Sequence, residues 1–340
     1  MGTPAVYYHP TFLRHDTGEH PESCQRLVVA RQALLDSGLG IEWATPDPAP
    51  LLAIERVHDR AYIETVRSTA EKGGDWLDWD TAVSPGSYEA ALLAAGSGLA
   101  AVDRCLDGGQ LAFMLVRPPG HHACRSRGMG FCLFNNIAIA AAHALEQRGV
   151  ERLLIFDWDV HHGNGTQDAF YDDPRVLFCS IHQRGHYPGT GSAAEVGAGD
   201  GIGYTANVPL GAGASDGAVK LVFDSLLAPL VRAYRPQVVL VSAGYDAQAG
   251  DPLGGLRLSE QAYQWMAASL LSLSQEVGAA GPLCFLEGGY VPDRLAASIV
   301  STVRGLCGEV PPFDRPVSAA EEADVAEALR RIRPYWNNVL

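Results

Sequence analysis

The chain predicts an α/β fold with a central parallel sheet flanked by helices. Three observations carry that prediction. Short apolar runs alternate along the chain with helical patterns. Several of these runs are unbroken, as in Leu-Leu-Ile-Phe at 153–156 and Val-Val-Leu-Val at 238–241, which suits strands covered on both faces. Four of them end in polar, ionisable or glycine-rich segments, the usual place for a site in such a sheet.

Taken in order, strands are expected over 6–9, 111–116, 153–160, 176–182, 204–210, 238–245 and 283–286. Helical patterns lie between them over 22–37, 88–106, 136–148, 216–234, 259–276 and 293–306. The first closes on Ser37-Gly38, a normal helix stop. The proline-rich run 311–317 reads as a connector, after which Ser318 and Glu321 form a capping-box pattern opening a last helix to about Arg333. Ten glycines fall between Gly185 and Gly217, a turn-rich loop system around the 204–210 strand. No composition break separates two domains, so residues 1–340 are read as one domain with a C-terminal packing helix.

Hydrophobic residues make up 47% and charged residues 19%, which excludes disordered, collagen-like and coiled-coil classes. The 39 acidic residues outnumber the 25 basic ones, and a net charge of −14 argues against a nucleic-acid partner. Seven cysteines, an odd number with no C-x-x-C pair, point to a reducing compartment, so a cytoplasmic location is expected. The first ten residues lack the basic and apolar regions of a secretory signal, and no run approaches the roughly 20 apolar residues of a membrane span.

Asp157, Asp159 and His161 are spaced two apart, so an extended backbone puts them on one face. Any one of these aspartates alone would read as a helix cap. Two carboxylates and an imidazole on one face repel unless a cation joins them. A thiolate-free set of this kind admits Zn²⁺, Fe²⁺, Mn²⁺ or Co²⁺, and Asp246, ending another apolar strand, is the natural remote ligand. His121 and His122 follow a Pro-Pro-Gly turn at a strand end and suit acid–base work, with Asp157 and Asn164 as candidate acceptors for their second nitrogens. Tyr290, after Gly288-Gly289, is placed to bring its phenol to a carbonyl.

The blocks Arg117–His122, Asp157–Gly165, Ser242–Asp246 and Glu287–Tyr290, in this order, resemble those of the zinc-dependent histone deacetylase superfamily, in its class II branch with the bacterial deacetylase-like amidohydrolases. The resemblance runs from about Tyr7 to Leu306 and implies an arginase/deacetylase-like α/β domain. It implies one zinc held by Asp159, His161 and Asp246, His122 as general base and then acid, His121 and Asp157 as its electrostatic support, Asn164 as the partner of His122, and Tyr290 polarising the acyl carbonyl. Phe131 and Tyr187 match the walls of the acyl-lysine tunnel, the second being Phe in most of the family, and Gly130, Leu253, Asp80 and Gly289 complete the expected substrate contacts. Potassium is implied at Asp157, Asp159, His161, Ser180 and Ile181, and at Phe170, Asp173, Val176 and Tyr204. Arg26 matches an arginine at the base of the site, although a helix-surface charge is the alternative reading.

The expected activity is removal of acetyl or other short acyl groups from the ε-amine of lysine in proteins or peptides. Acetylpolyamine hydrolysis is the alternative. The stretch 71–81 is shorter than the insertion of dimeric polyamine amidohydrolases, and Leu253 stands where the eukaryotic polyamine branch has a glutamate. An acyl-lysine binding module without catalysis is disfavoured by the retained His122, Tyr290 and ligand trio, and a two-metal ureohydrolase by the Asn164 in place of further acid.

Overall fold

Unbroken apolar strands need cover on both faces, and the chain supplies it with helices. The computed structural model describes residues 3–340. Among these, ten strands form: β1 (Ala5–Tyr7), β2 (Glu42–Ala44), β3 (Asp75–Trp76), β4 (Ala82–Val83), β5 (Ala112–Met114), β6 (Leu153–Asp157), β7 (Val176–Gln183), β8 (Thr205–Leu210), β9 (Val238–Ala243) and β10 (Ala280–Leu286). Eight make one sheet in the order β2-β1-β5-β10-β9-β6-β7-β8, every pairing parallel. β3 and β4 form a small antiparallel hairpin apart from it.

The order explains where the site falls. The chain leaves β5 for β6 and only later inserts β9 and β10 between them. The pairs Met114↔Phe285, Phe285↔Ser242 and Ser242↔Asp157 bring the four carboxyl ends to one level. Loops that are remote in sequence therefore meet on one rim. Helices Ser87–Gly108 and Asn136–Gln147 pack together, and helix Pro292–Leu306 packs against both Gln25–Asp36 and Glu260–Val277. The helix expected over 216–234 contains a π turn at Phe223–Leu227, which sets Phe223 edge-on to Phe156 at 5.4 Å. The C-terminal helix Ala319–Ile332 carries the expected capping box, with the Ser318 hydroxyl accepting the Glu321 N–H and the Glu321 carboxylate accepting the Ser318 N–H.

β2 was not among the expected strands. It has three residues and lies at the sheet edge, with no apolar run to signal it. Helix Arg60–Glu71, also unexpected, buries Tyr62, Ile63, Val66 and Ala70 along one face between charged positions. No helix among the described residues is long and apolar enough to cross a membrane.

His58 is an internal support with a pH consequence. Its Nε2 accepts the Asn135 N–H at 2.9 Å, and its Nδ1–H donates to the Cys124 carbonyl at 2.9 Å. A backbone N–H can only donate, so Nε2 must be unprotonated. Burial accordingly pushes the imidazole down to about 4. Between that value and the ordinary 6.5 the unfolded chain takes up a proton that the folded chain refuses. The stabilisation is complete above about pH 6.5 and is lost as pH falls toward 4. Denaturation of the His58→Gln variant should therefore show a shallower loss of stability from pH 7 to 5, by about 2 kcal/mol. An unchanged slope would refute this account.

Candidate metal centre and active site

Asp159 and His161 follow β6, and Asp246 follows β9, the neighbouring strand. All three side chains are buried, and one ligand atom of each lies within 4.8 Å of the others. His161 Nδ1 stands 3.1 Å from Asp159 Oδ1 and 3.1 Å from Asp246 Oδ2. The carboxylates are aimed by backbone amides. Gly288 N–H donates to Asp159 Oδ2 at 2.8 Å, and Val160 N–H donates to Asp246 Oδ1 at 2.9 Å. The floor admits no side chain here, since a Cβ on Gly288 would fall 2.0 Å from Asp246 Oδ2. Burial opposes a charged His161, but the Asp246 and Asp159 carboxylates outweigh it and take the imidazole up to about 10. Burial likewise opposes ionised Asp159, and the charges of His121 and His161 prevail. Two oriented carboxylates and an imidazole, converging in a dry pocket that favours positive charge, fit a divalent ion such as zinc.

The two histidines after β5 are driven to opposite charge states. His121 Nδ1 donates to Asp157 Oδ2 at 3.0 Å. Burial lowers its affinity for a proton, but Asp157, Asp159 and Glu287 carry it up to about 10. His122 Nδ1 donates to Asn164 Oδ1 at 2.8 Å. The Asn164 amide is oriented by its Nδ2 contacts to Cys124 Sγ at 3.3 Å and Met129 Sδ at 3.6 Å. Burial, then the neighbouring charges of His121 and His161, hold His122 well below the usual imidazole range. One ring is an imidazolium and the other a neutral acceptor, with centroids 4.0 Å apart.

A cavity of about 300 Å³ leads to this centre. Among the expected residues, His122, Gly130, Phe131, His161, Tyr187, Leu253, Asp80 and Tyr290 line it. Gly289 does not; its carbonyl turns away to accept Arg26 Nε at 2.7 Å. The Phe131 and Tyr290 rings meet edge to face at 5.7 Å. The Tyr187 hydroxyl is buried and has no hydrogen-bond partner among the described residues. Burial, then the Asp80 charge, raises the Tyr187 phenol, and burial, then Asp246, raises that of Tyr290, so both stay protonated. Sequence reasoning missed Trp79, which is 79% exposed at the mouth, and His186, whose ring lies 5.0 Å from that of His161. Each adjoins a residue that was singled out, Asp80 and Tyr187, and adjacency was the available signal.

Arg26 is buried, not a surface charge. It donates to Glu22, Gly289 and Glu287 and lies 5.1 Å from the Tyr290 ring centroid. Glu22 also takes Arg117 in a bidentate pair, at 2.5 and 2.7 Å. Glu287 Oε2 accepts the amides of Gly120 and His121 at 2.7 and 3.1 Å, which fixes the turn carrying both histidines. Glu22 and Glu287 had no assigned role in the sequence reading. Of the residues implied for potassium, Ser180 is buried with its hydroxyl 2.8 Å from His182 Nδ1. Phe170, Asp173 and Val176 come together at the start of β7, linked by the Asp173 N–H on the Phe170 carbonyl and the Val176 N–H on the Asp173 carbonyl, and the Tyr204 carbonyl accepts the Phe178 N–H at 2.9 Å.

Residues 20–306 match the histone deacetylase domain. Rice histone deacetylase 10, chloroplastic, is 39% identical over 93% of this chain and 77% of its own. Human polyamine deacetylase HDAC10 is 37% identical over 100% of this chain and 53% of its own. The solved structure of the HDA15 HD domain superposes with a TM-score of 0.92 at 34% identity, covering 100% of this chain and 97% of that one. The parallel sheet, the trio at its rim and the paired histidines thus sit in a chain that belongs to the histone deacetylase family of amide-hydrolysing, zinc-dependent enzymes.

Proposed function

We propose that the chain removes short acyl groups from the ε-amine of lysine in proteins or peptides. The observation that carries this reading is the cavity itself. Phe131 and Tyr187 line it, His122 and one member of the metal trio, His161, line it as well, and Leu253 adds an apolar side chain. That shape suits an alkyl chain ending in an amide, with the rest of a peptide resting outside against Trp79.

Asp159, His161 and Asp246 would hold the zinc, which when bound supplies Lewis acidity toward water and the acyl carbonyl. The remaining chemistry belongs to side chains. His122, neutral and held by Asn164, takes a proton from the attacking water as its oxygen bonds to the carbonyl carbon. Tyr290 donates its O–H to the oxygen that gains charge. His121, fixed as an imidazolium by Asp157, adds positive potential beside it. As the carbon–nitrogen bond breaks, His122 returns the proton to the departing amine. Carboxylic acid and free amine result, with no acyl group on the protein. Potassium at the Ser180 and Phe170–Tyr204 positions is part of the same proposal, as is action in the cytoplasm.

Acetylpolyamine hydrolysis is the second reading, favoured by the paired carboxyls of Asp78 and Asp80 beside the cavity and by the name of the human relative. Side-by-side kcat/KM values for an acetyl-lysine peptide and N-acetylputrescine separate the two. The peptide should lead by about tenfold or more, because Leu253 offers no anion to a distal ammonium. A preference for the polyamine would reverse the choice.

A further inference from the structure

One wall of the cavity is a residue in a conformation its side chain resists. Met129–Cys132 is a tight turn closed by the Cys132 N–H on the Met129 carbonyl at 3.0 Å. Both central residues are left-handed, Gly130 at φ 56° and Phe131 at φ 69°. Such turns favour glycine, asparagine or aspartate at these positions. Gly130 has no alternative, since a Cβ there would lie 2.4 Å from His122 Cδ2. Phe131 is different: a bulky side chain at positive φ is a steric outlier. Its ring is nevertheless packed, 4.5 Å from His20 and 5.7 Å from Tyr290, edge to face in both cases.

The forces that hold it come from the loop between β3 and β4. The Phe131 N–H donates to Thr81 Oγ1 at 3.2 Å, and the Thr81 hydroxyl donates in turn to Asp80 Oδ1 at 3.0 Å. The Gly130 N–H faces the Asp80 carboxylate and favours its charged form. The two successive amides of the turn thus converge on an acceptor pair supplied by one dipeptide, a concave arrangement suited to anionic oxygen. The loop is braced by the Leu77 N–H on the Thr81 carbonyl at 2.9 Å and the Asp80 N–H on Asp78 Oδ1 at 3.1 Å. Thr81 is fully buried, and removing its hydroxyl takes away the acceptor of the Phe131 amide.

We propose that Thr81 is a positioning residue for the acyl-amine tunnel: its hydroxyl, braced by Asp80, clamps Phe131 in the left-handed conformation that forms the wall. Thr81 itself does not line the cavity. Asp80, one of the expected substrate contacts and part of the cavity lining, thus also has an inward task. The same clamp fixes Gly130 against the His122 ring. The kinetic readout below rests on the deacylase reading; the exchange readout does not.

The test compares Thr81→Val and Thr81→Ala, which remove the hydroxyl, with Thr81→Ser, which keeps it. In the first two, hydrogen exchange over 129–133 should accelerate about tenfold or more, with β6 and β9 unchanged. KM for an acetyl-lysine peptide should rise about tenfold while kcat stays within about threefold. Thr81→Ser should bring both readouts back to within about twofold of the parent. Unchanged exchange and KM in Thr81→Val and Thr81→Ala would overturn the proposal. So would Thr81→Ser behaving like either of them, which would assign the effect to side-chain volume. Should one of the two fail to fold, the other carries the comparison. Should the parent turn over no acyl-lysine peptide, the deacylase reading fails, and the exchange comparison still decides the clamp.

Discussion

Replacing His122 by alanine should lower kcat by about 10³-fold while leaving the fold and the metal content as in the parent. The size of the effect follows from the absence of a substitute. His122 is neutral because it is buried and stands beside the charged His121 ring, and its Nδ1–H is committed to Asn164. Its Nε2 lone pair is therefore the one left to accept a proton at the cavity wall. His121, with its centroid 4.0 Å away, cannot take over: its three neighbouring carboxylates keep it protonated, so it has no lone pair to offer near neutral pH. His122 does not belong to the ligand trio, so metal binding should survive its removal. Steady-state kinetics together with metal analysis check this. Turnover near the parent rate, or a variant that loses its metal, would remove His122 from the role of base.

The arrangement behind that prediction was partly legible in the sequence, for a physical reason. Parallel strands buried on both faces leave long apolar runs, and their polar carboxyl ends must converge, so Asp159, His161 and Asp246 were readable as a set before any geometry. The spacing of two in Asp157, Asp159 and His161 carried the local half of the site. What stayed hidden depends on contacts between remote segments. Glu22 meets Arg117 from 95 positions away, and nothing in either neighbourhood marks the pair as buried. Arg26 on its helix resembles any solvent-facing arginine until the Gly289 and Glu287 carbonyls are placed beside it. Thr81 is a hydroxyl in a short hairpin, and its importance appears only through the positive φ of Phe131, fifty positions on. Short, partly exposed elements such as β2 and the β3–β4 hairpin lack the run length that makes a strand visible.

Tyr290→Phe should lower kcat by about 10²- to 10³-fold with little change in KM. The substitution keeps the ring. Its edge-to-face packing on Phe131 at 5.7 Å and its place beside the Arg26 guanidinium, 5.1 Å from the ring centroid, both survive. The Tyr290 amide remains anchored on Asp251 Oδ2 at 2.7 Å, so the backbone has no cause to move. What disappears is one O–H. That group is reliably protonated, because burial and then the Asp246 carboxylate push the phenol well above its ordinary 10, against the opposing pull of Arg26. A donor whose proton is secure across the working pH range contributes most where negative charge is largest, on the carbonyl oxygen of the tetrahedral state, and far less in the ground-state complex. The loss should therefore fall on kcat, and the alkaline limb of the pH–rate profile should be no different in the phenylalanine variant. A rise in KM with unchanged kcat would instead make Tyr290 a part of the tunnel wall and move the donor role to another group.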